Sequence, residues 1–175
     1  MSSILTSIHG RRVGLSAEGG IVLNKSRSGR KSLVGQSIVT RVTSAQVLAL
    51  NATPIAVVPA QGAGIAILVN RVAIYKPAGT AYGGIGSTEE LVLKYTNASG
   101  TQLVCAIETT GFLDQTTAQT RVANPPATTG STVGDFTPVA NAAVVLHLLV
   151  GEITTGNSDL YVQTWYDLME TAFTA

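Results

Sequence analysis

The stretch that leaves the fewest folds open is "GIAILVNRVAIYK", residues 64 to 76. It is a long run rich in β-branched residues, which favour the pleated surface of a strand. Strict alternation puts Ile65, Ile67, Val69 and Tyr75 on one side and Leu68, Val72 and Ile74 on the other. A strand that is apolar on both sides must be covered on both. A layered β body meets that demand.

The rest of the chain from Ile38 follows the same pattern of strands and turns. "EELVLKYT" and "TQLVCAIE" are joined by "NASG", a turn suited to a hairpin. "AAVVLHLLVGE" and "DLYVQTWYDLM" form a second pair around "ITTGNS". "QVLALNATPIAVVP" is β-rich, and its Pro54 and Pro59 restrict which strands can sit centrally in a sheet. No segment sustains a 3.6-residue period, although residues 113 to 119 could form one or two helical turns. Between Phe112 and Asn141 lies a tract longer than most loops, containing "NPPATTGSTVGDFTP". It reads either as a surface excursion or as a loop that binds another subunit or partner. The expected fold is all-β: an antiparallel β-sandwich or jelly-roll-like domain over residues 38–175, preceded by an extended basic N-terminal arm over residues 1–37.

Length and charge sharpen this division. A chain of 175 residues fits one domain and buries roughly two-thirds of its unfolded surface, so no metal or disulfide is needed to hold it. Charged residues make up 12% of the chain, and small uncharged surfaces of this kind are often covered by neighbouring subunits. The few charges are unevenly placed. Residues 1 to 41 hold seven cations against one anion, a balance of +6, and the remainder holds four against nine, a balance of −5.

The basic half centres on "NKSRSGRKS", residues 24 to 32, with Lys25, Arg27, Arg30 and Lys31; Arg11 and Arg12 precede it. "GLSAEGGIVL" offers one hairpin with Gly19-Gly20 as its turn, and beyond Leu23 nothing repeats with a hydrophobic period. Such a segment orders only against a partner. Nucleic-acid phosphates, an acidic protein surface and plain solvent are the three candidates. The arm has no aromatic residue on which bases could stack, and the body is acidic, so a protein surface ranks first and nucleic acid last.

Motifs for chemistry are missing. "SGRKS" lacks the glycine spacing of a phosphate loop, and "QGAGIA" lacks the third glycine of a dinucleotide fingerprint. His9, His147 and Cys105 are too few for a zinc site. His147 alternates with Val145 and Leu149, as expected of a hydrogen-bonded histidine in a core or interface. Cys105, in "LVCAI", reads as a buried thiol, and a single cysteine excludes an intrachain disulfide. No enzyme, cofactor or metal is expected. No run long enough for a signal peptide or a membrane span is present, so folding in a reducing cytoplasm is expected. In the last strand, Leu160, Val162, Tyr166 and Leu168 alternate toward one side, with Tyr161 and Trp165 on the other. Either both sides are core, or Tyr161 and Trp165 anchor an oligomer.

Residues 45 to 168 resemble a family of structural proteins of tailed-bacteriophage virions, the capsid decoration or cement proteins. The resemblance rests on "NATPIAVVPAQGAGIAILVNRVAIY", "LVLKYTNASG" and "NAAVVLHLLVGEITTGNSDLYVQTWYDL" in that order, and more weakly on the opening "SIHGRRVGL". It implies a β-sandwich subunit, often a homotrimer, bound to the outer surface of the major capsid protein lattice of the virion, with no catalytic residues. A head–tail, tail or fibre component, including a receptor or glycan binder, is the alternative. The basic arm is not part of the resemblance, and its docking role rests on charge.

Overall fold

The computed structural model describes residues 6–8, 11–15, 21–24, 31–125 and 136–171, with the backbone alone for those before Gly35. In chain order its elements are β1 (Thr6–Ile8), β2 (Arg11–Leu15), β3 (Ile21–Asn24), β4 (Lys31–Val34), β5 (Gln36–Val42), α1 (Ser44–Leu48), β6 (Ile55–Val58), β7 (Ile65–Lys76), β8 (Glu90–Tyr95), β9 (Ile107–Glu108), β10 (Gln119–Ala123), β11 (Val144–Leu148) and β12 (Leu160–Glu170). The chain is nearly all-β, as its sequence pattern demands.

Two four-stranded antiparallel sheets make up the part from β5 onward, in the orders β10-β7-β12-β5 and β6-β11-β8-β9. Their pairings are nested: β5 with β12, β6 with β11, β7 with β10, and β8 with β9. Two further pairings, β7 with β12 and β8 with β11, gather the nested pairs into the two sheets. Both sheets contribute to one hydrophobic cluster, with Ile67, Ile74 and Leu160 from the first and Leu93, Val144 and Leu146 from the second. Burying each such side chain contributes about 1.5–3 kcal/mol. The sheets are also tied by hydrogen bonds, from the Tyr95 hydroxyl to the Ile67 carbonyl and from Thr40 Oγ1 to the Val57 carbonyl at 2.9 Å. Pro54 and Pro59 bracket β6, which lies at a sheet edge where a missing N–H costs no ladder bond.

The strand over 65–76 forms as expected, but its two faces are not those of strict alternation. Trp165 of β12 lies opposite Arg71 while Tyr166 lies opposite Val69, so Asn70 is an extra residue on β7. This bulge resets the parity. Ile67 and Val69 before it, and Val72 and Ile74 after it, all enter the core, whereas Tyr75 turns outward and is 44% exposed. The strand is therefore covered on one face beyond the bulge, not on both.

Other expectations shift for equally local reasons. β11 and β12 do not pair with each other but sit in different sheets. Residues 149–159 carry the chain between them, anchored where Thr154 N–H donates to the Gly83 carbonyl at 3.0 Å and where Asn157 Oδ1 accepts from Thr80 N–H at 2.8 Å. The hairpin around "NASG" begins with Lys94 opposite Gln102, then loosens. Leu103 and Val104 are buried in succession, which breaks the alternation and leaves Cys105 exposed, its N–H donating to the Asn124 carbonyl at 2.8 Å. The helical turn expected at 113–119 falls at 110–114 instead, and Gln119 already belongs to β10. α1 was hidden among β-prone residues. Its start carries a capping box in which the Gln46 N–H donates to the Thr43 hydroxyl and the Thr43 N–H donates to Gln46 Oε1.

The N-terminal segment carries four described strands. Its backbone passes through a four-stranded meander, β1-β2-β3-β4, with Leu15 opposite Ile21 in the hairpin and Ile21 opposite Val34. Gly19-Gly20 lie outside the described residues. β4 passes into β5 through Gly35, whose φ of +74° suits glycine and whose N–H donates to Asp167 Oδ1 at 2.6 Å.

Candidate interaction surface

The alternation of β12 places Leu160, Val162, Thr164 and Tyr166 inward and sends Tyr161 and Trp165 to the opposite face. Pairing registers then fix what surrounds them. Tyr161 lies between Tyr75 of β7 and Arg41 of β5, and Trp165 lies between Arg71 and Ser37. Gln163 lies between Ala73 and Val39, and Val122 of β10 lies beyond Ala73. Four exposed large apolar side chains thus share the outer face of the β10-β7-β12-β5 sheet: Val39 at 58%, Val122 at 57%, Tyr75 at 44% and Tyr161 at 38%.

Within this face the side chains brace one another. The Tyr75 and Tyr161 rings are 6.3 Å apart and tilted by 38°, a cross-strand aromatic pair of the kind that supports a sheet. The Arg71 guanidinium lies 4.0 Å above the centre of the half-buried Trp165 ring, within cation–π reach. Arg41 binds Asp159 Oδ2 through Nε at 2.7 Å and through a terminal nitrogen at 2.5 Å. That hydrogen bond, and the charge behind it, raises the Arg41 pKa and holds the Asp159 carboxyl below the usual carboxylate range. Asp159 Oδ1 also accepts the Ser44 N–H at 2.9 Å, which fixes the start of α1 next to the face. A tyrosine pair beside a tryptophan that stacks under a weakly hydrated guanidinium has the composition enriched in protein contact cores.

Chemistry-bearing groups elsewhere do not converge. Among the described residues no group of three or more His, Cys, Asp or Glu side chains could hold a metal ion, and no helix is long and apolar enough to cross a membrane. Lys76 is fully buried, its ammonium donating to the Gln115 carbonyl at 2.6 Å and the Pro77 carbonyl at 3.3 Å, and burial lowers its pKa. His147 is 5% exposed with Nε2 3.2 Å from the Asn51 carbonyl. Desolvation lowers its pKa, and Lys94 adds to that lowering against the opposing Asn51 bond. An open groove of about 440 Å³ runs between β9 and β10, lined by Cys105, Glu108 and Arg121 among others. The Arg121 guanidinium is engaged there by the Gly111 carbonyl at 2.5 Å.

No family model, curated protein or solved structure matches the chain.

Of the residues singled out in the sequence, Tyr161 and Trp165 stand on one outer face, so the second strand side is surface and not core. Arg11 and Arg12 lie on β2 and Lys31 on β4, while Lys25, Arg27 and Arg30 fall outside the described residues. The structure adds Tyr75, Arg71, Val39 and Val122 to the surface. Tyr75 was misplaced inward by strict alternation. The signal that could have corrected it is Asn70-Arg71, two adjacent polar residues in an otherwise apolar strand, the mark of a bulge.

Proposed function

We propose that the chain is a non-catalytic structural subunit of a tailed-bacteriophage virion, a decoration or cement protein that binds the outer surface of the major capsid protein lattice and stabilises the mature head as a homotrimer. The observation that carries this reading is the outer face of the β10-β7-β12-β5 sheet. It exposes Tyr75, Tyr161, Val39 and Val122 beside the Arg71–Trp165 stack, which is more apolar and aromatic surface than a solitary sheet face needs. The nested strand pairing supports it too. A long antiparallel ribbon with its tip at β8–β9, rolled so that alternate pairs fall in opposite sheets, is the pairing expected of a jelly roll, an architecture that recurs in viral shells. The excess of cations in residues 1 to 41 supports a second contact, with the N-terminal segment meeting an acidic protein surface.

A protein that binds the assembled shell and not its separated subunits stabilises the shell by mass action, and several linked contacts make weak individual bonds durable. The test compares heads prepared with and without the protein for resistance to heat and osmotic shock, then adds the purified protein back. Restored resistance with saturable rebinding is expected. Unchanged resistance together with no rebinding contradicts the stabilising role. Deleting residues 1–37 separates the two contacts: lost attachment with the oligomer intact assigns docking to the N-terminal segment, and retained attachment removes that role.

A further inference from the structure

The N-terminal meander β1-β2-β3-β4 has two unlike faces, set by its pairing registers. Residues directly opposite each other in a ladder share a face, and successive residues alternate between faces. Leu15, Ile21 and Val34 therefore form one row, with Thr6, Val13, Leu23 and Ser32 as the next row on the same face. Ile8 and Arg11 complete that face at its far end. It is aliphatic apart from two hydroxyl residues and one terminal cation. The opposite face carries Ser7, Arg12, Asn24 and Lys31 in one row, followed by Gly14, Val22 and Leu33. The meander is amphipathic.

A single layer of short strands must set its apolar face against another layer. The body of the same chain does not supply that layer. Among the described residues the one substantial contact between the meander and the body is that of β4 with β12. Charge then narrows the choice of cover. An acidic partner is drawn to the opposite face, where Arg12 and Lys31 share a row, and gains nothing from the aliphatic positions. A second copy offers the same aliphatic rows with its cations turned away. Packed sheets lie about 10 Å apart, so the two outward rows of cations are separated by more than the Debye length of about 8 Å at physiological salt. The balance of +6 in residues 1 to 41 therefore opposes such a pairing only weakly, and less as salt rises.

We propose that the aliphatic face of the β1-β2-β3-β4 sheet is covered by the same face of a second copy of this chain, centred on Val13, Leu15, Ile21 and Leu23. The same surface lies on both sides, so the contact is isologous and pairs copies two by two, separately from any contact that holds a trimer together. The cations of the opposite face stay free for an acidic surface. The inference needs only the strand registers and holds or fails apart from the virion reading.

The test is sedimentation velocity of the full chain over a range of concentration and ionic strength. The wild-type protein is expected to form a species of twice the mass of its smallest unit, and to form it no less as salt rises, whereas docking on an acidic surface weakens with salt. Leu23→Asp should weaken the pairing by ~10-fold or more, because it sets a carboxylate between apolar layers. Val22→Asp, the neighbouring position on the opposite face, should leave it largely unchanged. Cross-linking supplies a readout independent of any strand disturbance in the Asp variants. On a Cys105→Ser background, Leu23→Cys should be joined between copies by a short bis-maleimide, and Val22→Cys should not. Absence of the paired species under every condition overturns the inference. So does pairing that falls with salt, that Leu23→Asp leaves intact or that Val22→Asp weakens equally, and so does equal cross-linking at the two positions. Head binding by the same proteins is measured in parallel. Heads bound without pairing leave the virion reading standing and sink this inference, and pairing without head binding does the reverse.

Discussion

Single residues show where the fold is least forgiving. Gly156 adopts φ of +121°, and a side chain there would run into the Tyr82 ring, itself buried with its hydroxyl bonded to the Ser158 carbonyl. Burial also pushes the Tyr82 pKa up to about 12, so that hydroxyl remains a donor throughout the neutral range. Gly156→Ala is expected to lower stability by about 2 kcal/mol or more, through both backbone conformation and collision. A urea titration reads this as a lower midpoint with an unchanged slope. His147 gives a pH dependence. Its folded pKa lies below the ordinary histidine value of about 6.5, because burial disfavours the imidazolium, and Lys94 adds to that while the Asn51 carbonyl opposes it. The unfolded chain therefore binds the proton more readily. Stability is full above pH 6.5 and falls as pH drops from there toward the lower folded value, by no more than about 1.4 kcal/mol per pH unit for one group. His147→Gln should flatten that part of a melting-temperature profile, and an unaltered profile would remove His147 as its source.

At the scale of elements, the bulge in β7 is the device that holds the candidate surface together. Were Asn70 kept in regular register in the ladder, strict alternation would hold, and either Val69 with Ile67 or Val72 with Ile74 would leave the core. Deleting Asn70 leaves those four side chains in one alternation on the core face, so it is expected to cost about 1 kcal/mol or less, the worth of the exposed hydrogen bond from Asn70 to Asp167. It should also disturb the Arg71–Trp165 stack, visible as a change in tryptophan fluorescence before unfolding. The same element explains what the sequence could and could not tell. Strand identity was legible for β7, β8, β11 and β12 because β-branched runs carry it. Face assignment failed in β7 and at Cys105 because one extra or one looping residue inverts every position after it. Partnership failed for β11 and β12, since neighbours in sequence read as a hairpin unless something signals a crossing between sheets. α1 was readable from Thr43 and Gln46 but was outweighed by the valines and leucines around them. Tyr161 and Trp165 were legible as a shared face from spacing alone, while the pairing registers that bring Tyr75, Val39 and Val122 beside them were not.

At the scale of the whole molecule, two antiparallel sheets share one core and leave an aromatic surface outward, as the proposed binding role requires. Few charges interrupt that surface, and the cations of the N-terminal 41 residues face a body carrying the opposite balance. This division predicts contacts of two kinds, one dominated by buried aromatic area, the other electrostatic and weakened by salt. Tyr161→Ala and Trp165→Ala should affect the first, each costing about 2 kcal/mol or more of association if the residue lies at the contact centre. The decisive measurement is the amount of this chain relative to the major capsid protein in purified particles, by quantitative mass spectrometry. A ratio matching the capsid lattice, with the protein removable and able to rebind, is expected. Its absence from particles, or a few copies confined to the tail, would contradict a role as a cement protein of the head.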